Sequence, residues 1–503
     1  MMGYDVKYSL TNYMALIKGE IGEKSPIVIK HILLGTGTPV EAILIYVNGI
    51  ADKTIIDRDV LNPLLLSINE NISGKIDLVN YLSKKYVAMS NTVVQNNLNE
   101  AIINIKRGNS VIFINNEREF IIIDTRGGMY RQITDPFIES ASRGPRESFV
   151  ENLEANMSMV RRYIKDKNLV FERFTLGQRT QTDVLVVYLK DVADDDVVNE
   201  VKERIKVIDT DRTNAQGIIE QYIEDSPYSI FPQVNITERV DKTCSHILEG
   251  RVCLLIEGAP NAMTAPAIFT EFFHAVEDYY DRTIVANFVR LIRFLAIFII
   301  ITASPLYLVF IKFNSELIPV NFILPIIESR RGIALSPLLE ILLMEIVMEF
   351  LREGGLRLPS KIAQTLSVVG GIIVGDTATK SKFVSPTTLF VIGISVVATF
   401  VIVNYEMSLS LRFLRFPMLI LADVLGVFGI TIGWFILLVH LLSLDSFGVP
   451  YLTVNTGFQD KFLRGPLWKM NNRGGGIPHK DNIRQKDFRF KWRKKKNEKG
   501  WSK

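Results

Sequence analysis

The spacing of apolar residues changes character once along this chain, near Phe288. Up to that point apolar residues come in runs of four to eight, or at helical spacing, and no run approaches the roughly 20 residues needed to cross a bilayer. Between 288 and 444 the runs are long and nearly free of charge. The pattern predicts a water-soluble module joined to a polytopic, all-α membrane domain.

Within the soluble stretch, residues 40–47 (VEAILIYV) predict a strand ended by the Asn48-Gly49 turn signal. Residues 93–105 carry apolar positions at helical spacing. Residues 111–114 and 120–123 flank Asn115-Asn116-Glu117 and predict a hairpin. Further on, 147–165 predicts a helix, 168–174 and 184–189 strands, 197–207 a helix, 251–256 a buried strand and 268–280 another helix. The alternation predicts α/β architecture in two subdomains, 28–143 and 144–287, preceded by a segment 1–27.

The membrane half is expected to hold about four spans. Residues 288–311 form the first, with Pro305 able to kink it. Residues 317–327 are short and interrupted by two prolines, which suits a re-entrant or interfacial piece. Residues 337–353 form an amphipathic helix on which Glu345, Glu349, Arg352 and Glu353 share one stripe. That stripe is either a solvated face or, once several copies assemble, a ring of carboxylates that attracts cations. Residues 361–378 differ in kind: Gln364, Ser367, Gly371, Gly375 and Ala378 align on one face, and Gly371 with Gly375 forms G-x-x-x-G. The face serves either close helix packing or the lining of a conduit, with Val368 or Ile372 as a hydrophobic constriction. Residues 385–404 are a plain span, and 416–444 are long enough for a tilted or broken one.

Composition sharpens this division. The chain has 503 residues, too many for one core. Mean hydropathy of +0.19 is high for a soluble protein and 22% charged residues is high for a membrane protein, so the halves must differ. From Lys461 onward there are 15 Lys/Arg against three Asp/Glu, which places the excess positive charge in the tail, 445–503. The tail is expected to be disordered and to meet anionic lipids; no nucleic-acid-binding face is implied. Cys244 and Cys253 are nine residues apart and match no zinc spacing, and the five histidines are scattered, so no metal or cofactor site is expected. Gly35-Thr36-Gly37 lacks the features of a phosphate loop, and Asp194-Asp195-Asp196 reads as a helix N-terminus rather than a calcium site. No catalytic motif appears, and no enzymatic activity is expected. The start of the chain has no signal-peptide pattern, so the soluble module is expected on the cytoplasmic side, with Arg290 and Arg293 at the first membrane entry.

Several segments together resemble the A subunit of GerA-type spore germinant receptors, over about residues 35–470. They are Arg143-Gly144-Pro145-Arg146-Glu147 with Phe149, Arg161-Arg162, Ser229 with Phe231-Pro232-Gln233, Thr237-Glu238-Arg239 with Asp241, Glu249-Gly250-Arg251-Val252 and Asp278-Tyr279-Tyr280. In the apolar half they are Ser336-Pro337-Leu338-Leu339-Glu340, Leu351-Arg352-Glu353, Gln364 with Val368-Val369-Gly370, and Leu414-Arg415-Phe416-Pro417. Val240 stands where such chains commonly have proline, and Lys380 and Lys382 add charge after the small-residue helix. The resemblance implies a multi-pass protein of the spore inner membrane that works with a transporter-like B subunit and a lipoprotein C subunit. It implies self-assembly, as a pentamer, into a nutrient-gated cation channel. A non-conducting signal relay and a secondary transporter are the alternatives. Arg143, Arg146, Arg161 and Arg162 are expected to serve subdomain or subunit contacts rather than ligand binding.

Overall fold

The computed structural model describes residues 9–21, 27–47, 51–127, 136, 139, 141, 143–213, 215–357, 375–453 and 462–486. The chain divides into two units, Met1–Tyr130 and Arg131–Lys503.

The first unit is a five-stranded sheet with β1 (Ile27–Leu34), β2 (Val40–Val47), β3 (Thr92–Gln95), β4 (Ser110–Ile114) and β5 (Phe120–Ile123) in the order β1-β2-β4-β5-β3. All its pairings are antiparallel. β4 and β5 are buried along their whole length. Alternate residues feed two cores. Leu44, Ile112 and Ile121 meet Leu78, Val79 and Leu82, while Ile43, Phe113 and Phe120 meet Tyr13, Ile17 and Ile105. The two-sided covering makes these strands read as continuous apolar runs. Gly35 and Gly37, in the turn joining β1 to β2, both have positive φ, which explains that glycine pair without a ligand. The expected helix over 93–105 is a correction: β3 occupies Thr92–Gln95, and the helix is Leu98–Lys106, started by Asn97, whose side chain accepts from Asn99 N.

The second unit repeats the plan. Strands β6 (Leu169–Leu176), β7 (Thr182–Leu189), β8 (Asn235–Thr237), β9 (Val252–Ile256) and β10 (Ala262–Ala265) form a sheet ordered β6-β7-β9-β10-β8, again antiparallel throughout. Helices α1 (Leu153–Tyr163) and α4 (Val240–Leu248) cover one face; α2 (Asp195–Val207) and α3 (Gln216–Ile223) cover the other. Each fully buried Val, Leu or Ile here contributes about 1.5–3 kcal/mol. Asp194 caps α2 by accepting from Asp196 N at 2.9 Å, so the acidic triplet is a helix start. The helix expected over 268–280 is instead a 3-10 turn, Phe269–Phe273, and one helical turn, Glu277–Tyr280.

Among the described residues the helices that follow are α5 (Thr283–Lys312), α6 (Val320–Arg330), α7 (Pro337–Arg357), α8 (Pro386–Thr399), α9 (Tyr405–Leu425) and α10 (Val427–Ser443), with a further helical stretch at 375–380. Among the described residues, α5 is the one helix long and apolar enough to cross a membrane; α8 and α10 are apolar but shorter. The expected run 416–444 breaks at Gly426, whose φ of +61° few side chains tolerate. α10 then folds back on α9 so tightly that a Cβ on Gly429 would sit 1.9 Å from Leu421 O. Arg412 and Arg415 are buried inside α9.

The tail expectation also needs correction. Residues 462–486 form a strap on the second sheet's helices. Lys480 N donates to Val192 O at 2.9 Å, Arg473 Nε donates to Leu248 O at 2.9 Å, and Arg484 pairs with Glu249 at 2.8 Å. Arg473, Lys480 and Arg484 thus find backbone carbonyls and carboxylates of the fold.

Candidate functional site

The motif residues of the second unit converge. Gly144 has φ +97°, and a Cβ there would lie 2.4 Å from the Tyr280 ring, so only glycine lets the two segments touch. Tyr280 donates its hydroxyl to Asp241 Oδ2 at 2.7 Å. Burial, then the hydrogen bond to Asp241, pushes the Tyr280 phenol well above its ordinary range. Asp241 takes both Arg239 Nε (3.0 Å) and Nη2 (2.8 Å). The same guanidinium donates to Glu139 O and Pro145 O, and Lys242 pairs with Glu139 at 2.7 Å. The guanidinium fork, with five donors, suits this bridging of three chain segments.

Two residues before Tyr280, Asp278 clasps the next helix. Its carboxylate accepts from Arg290 Nε at 2.9 Å and Arg293 Nη1 at 2.7 Å; the Arg290 side chain is 0% exposed and that of Asp278 is 3%. Arg290 and Arg293 therefore tie α5 to the sheet module. Arg464 of the strap donates to the carbonyl oxygens of Asp278 and Asp281 and to Thr283 Oγ1, closing the same junction from the other end of the helical region.

A second seam joins the loop after α3 to the helices. Ser229 Oγ is 3.1 Å from His440 Nε2, Ser410 Oγ donates to Ile230 O, Tyr451 donates to Pro232 O at 2.7 Å and Ser446 donates to Gln233 O at 2.7 Å. Phe231 is buried among Phe269 and His440 in the core that also holds Ile300, Leu411 and Leu441.

Inside the helical region the acidic stripe of α7 is neither a solvated face nor an open carboxylate ring. Glu345 and Arg415, each side chain 1% exposed, form an ion pair at 2.6 Å. Glu349 takes Arg412 at 2.7 Å and Arg415 at 3.2 Å. Ser304 of α5 donates to Glu345, and Arg415 Nη1 donates to Ser395 of α8. Only Glu353 keeps an exposed partner, Arg357. The LRFLRFP arginines thus neutralise the stripe of a neighbouring helix, an arrangement favoured where few water molecules solvate the charges. Glu340 is likewise buried, bound to Arg330 at 2.6 Å and to Ser385 N at 2.6 Å.

Of the conduit candidates, Gln364, Ser367, Val368, Gly371 and Ile372 lie outside the described residues. Gly375 is helical, as are the residues to 380, and sits beside Leu389 of α8. Arg143 pairs with Asp281 at 3.3 Å, Arg162 pairs with Glu147, and Arg161 stands over the Phe171 ring at 4.9 Å, all within the second unit; Arg146 is exposed. Cys244 and Cys253 are both free and buried. Among the described residues, no three His, Cys, Asp or Glu side chains come together as metal ligands. Sequence reasoning missed the Asp278 clasp. Its signal was present: Arg290 and Arg293 stand in an apolar helix and require a buried partner.

This geometry defines a sheet module tied by buried ion pairs to an apolar helical region. The chain belongs to the GerA family: the profile of the Bacillus/Clostridium GerA spore germination protein matches residues 15–475. It is 34% identical to spore germination protein KA of Bacillus subtilis (strain 168) over 482 residues, 95% of this chain and 88% of that one. It is 32% identical to spore germination protein B1 of the same organism, over 95% of this chain and 99% of that one. Among solved structures, the N-terminal domain of the A subunit of the Bacillus megaterium spore germinant receptor GerK3 is similar at 28% identity, covering 54% of this chain and 99% of that one, with a TM-score of 0.22.

Proposed function

We propose that this chain is the A-type subunit of a spore germinant receptor, a multi-pass protein of the spore inner membrane that assembles as a homo-oligomer, a pentamer, to form a nutrient-gated cation channel. A transporter-like B subunit and a lipoprotein C subunit complete the receptor. The sheet modules and the tail face the spore core, and the basic tail meets anionic lipids. Residues 361–378 line the path, with Gln364, Ser367, Gly371 and Gly375 on the lumen face and Val368 or Ile372 at the constriction.

The observation that carries this reading is the linkage from Arg239–Asp241–Tyr280 along the chain to buried Asp278, and from it to Arg290 and Arg293 of α5. A change of state in the sheet module reaches α5 through this linkage. Large apolar side chains exposed on the helices, such as Phe298, Phe390, Phe428 and Phe435, support a lipid or subunit surface around them.

The test is potassium release from dormant spores carrying Val368→Ala with the partner subunits intact. Leakage without nutrient supports the gate. Normal dormancy and a normal nutrient response, at unchanged protein level, remove Val368 as the gate and favour a relay that transmits through the same linkage without conducting. Neutralisation of Glu345 and Glu349 within the chain is the observation on the relay's side.

A further inference from the structure

A cavity of ≈ 1250 Å³ lies between α4, the segment Ile268–Tyr280 and the strap. That exceeds the roughly 300–1,000 Å³ of ordinary small-ligand pockets. Lys242 and Arg251 line it on the sheet side; Arg464, Lys469, Arg473 and Arg484 line it on the strap side. Against these six cations the wall has two carboxylates, Glu249 and Glu271. Two more sit behind it, Glu139 on Lys242 and Asp481 on Arg473, so the cleft keeps an excess of positive charge.

The excess is held in place. Arg251 pairs with Glu271 and donates to Pro266 O at 3.2 Å. Arg464 is 4% exposed and anchored on carbonyls. Lys469, exposed beside the Trp468 ring at 5.2 Å, is the adaptable cation at the mouth. Gly474 N donates to Glu249 Oε2 at 3.4 Å, while Gly475 and Gly476 contribute no side chains to the wall, which leaves backbone there open to a ligand. Fixed guanidinium groups, one mobile ammonium and bare backbone together suit tetrahedral oxyanions.

We infer that this cleft binds a phosphate-bearing anion, bridging the strap to the sheet module. It lies at the start of α5, since Arg464 also holds Thr283, so the phosphate comes either from a soluble compound or from a lipid headgroup. The site is independent of whether the chain conducts ions.

The test uses the full chain in phosphatidylcholine nanodiscs, titrated calorimetrically with inorganic pyrophosphate and, separately, with dioctanoyl phosphatidic acid. The variants are Lys469→Glu and Ser245→Glu, both at exposed positions that line the cleft, with thermal unfolding confirming that each folds as the parent does. Binding of pyrophosphate weakened about tenfold or more in each variant supports the site with a soluble ligand; the same pattern for the lipid alone supports it with a headgroup. Binding of neither probe, or binding unchanged in both variants, overturns it.

Discussion

Replacing Asp278 by Asn tests whether the junction between sheet module and α5 is held electrostatically. The substitution keeps shape and an acceptor oxygen but removes the charge that faces Arg290 and Arg293 at 2.9 and 2.7 Å. At an effective dielectric of about 20, each contact is worth about 6 kcal/mol before desolvation. Burying three charged groups offsets most of that, and stripping one partner from a buried pair costs about 3–5 kcal/mol, because the remaining charge is left uncompensated. Arg290, with no exposed side-chain surface, cannot turn to water for relief. The expected result is a fall in Tm on the order of 5 °C for the full chain in detergent. Adding Arg290→Gln should recover part of the loss, since one of the two stranded cations goes with it. The exposed pair Arg357–Glu353 is the control: Arg357→Gln should cost under about 0.5 kcal/mol. A Tm for Asp278→Asn within the range of that control, with no coupling to Arg290→Gln, would refute the reasoning.

Within the helices, Arg415→Met should destabilise by about 3–5 kcal/mol, whereas the pair Arg415→Met with Glu345→Met should come close to neutral; a double-mutant cycle on thermal unfolding reads both. Gly429→Ala should cost about 1–3 kcal/mol or more because its Cβ meets Leu421 O, while Gly393→Ala, in open space on α8, should be neutral or slightly stabilising. Burial, with Glu406 and Glu224 nearby, pushes Glu220 up to about 9 from an ordinary value of 4.5. A folded value above the unfolded one contributes stability that is fully present below pH 4.5 and lost as pH rises through 9, so Glu220→Gln should raise Tm more at pH 8 than at pH 5. Burial pushes the Cys244 thiol up to about 12, so iodoacetamide should label it at the rate of global unfolding rather than in the native state.

What the sequence made legible follows the range of each interaction. β2, β4, β5, β7 and β9 announce themselves because both faces are buried along most of each strand and a run of apolar residues fills it. The strand at Thr92–Gln95 was absorbed into the helix after it because Val93 and Val94 fall in step with the spacing of Leu98, Ile102 and Ile105. The stripe on α7 was visible, but its meaning was not: periodicity reports one helix, and the arginines that neutralise it arrive more than 60 residues later. The strap was hidden by composition. Its anchors are main-chain hydrogen bonds and ion pairs, which leave no apolar period, and its glycines and lysines look like those of a solvated tail. The contact between Gly144 and Tyr280 was foreshadowed only in that both belong to family motifs; nothing local to either predicts that they touch.

The strap also sets a schedule. Lys480 reaches back 290 positions to Lys190 O, so the module that the ribosome releases early is finished only when that much more chain has been made. At about 5–20 residues per second, the interval is on the order of tens of seconds. During that time the surface around Val192 and Leu248 stands open while the helices are made. A nascent chain cut short in the helical region would leave the surface uncovered, giving quality-control proteases a direct mark of incompleteness.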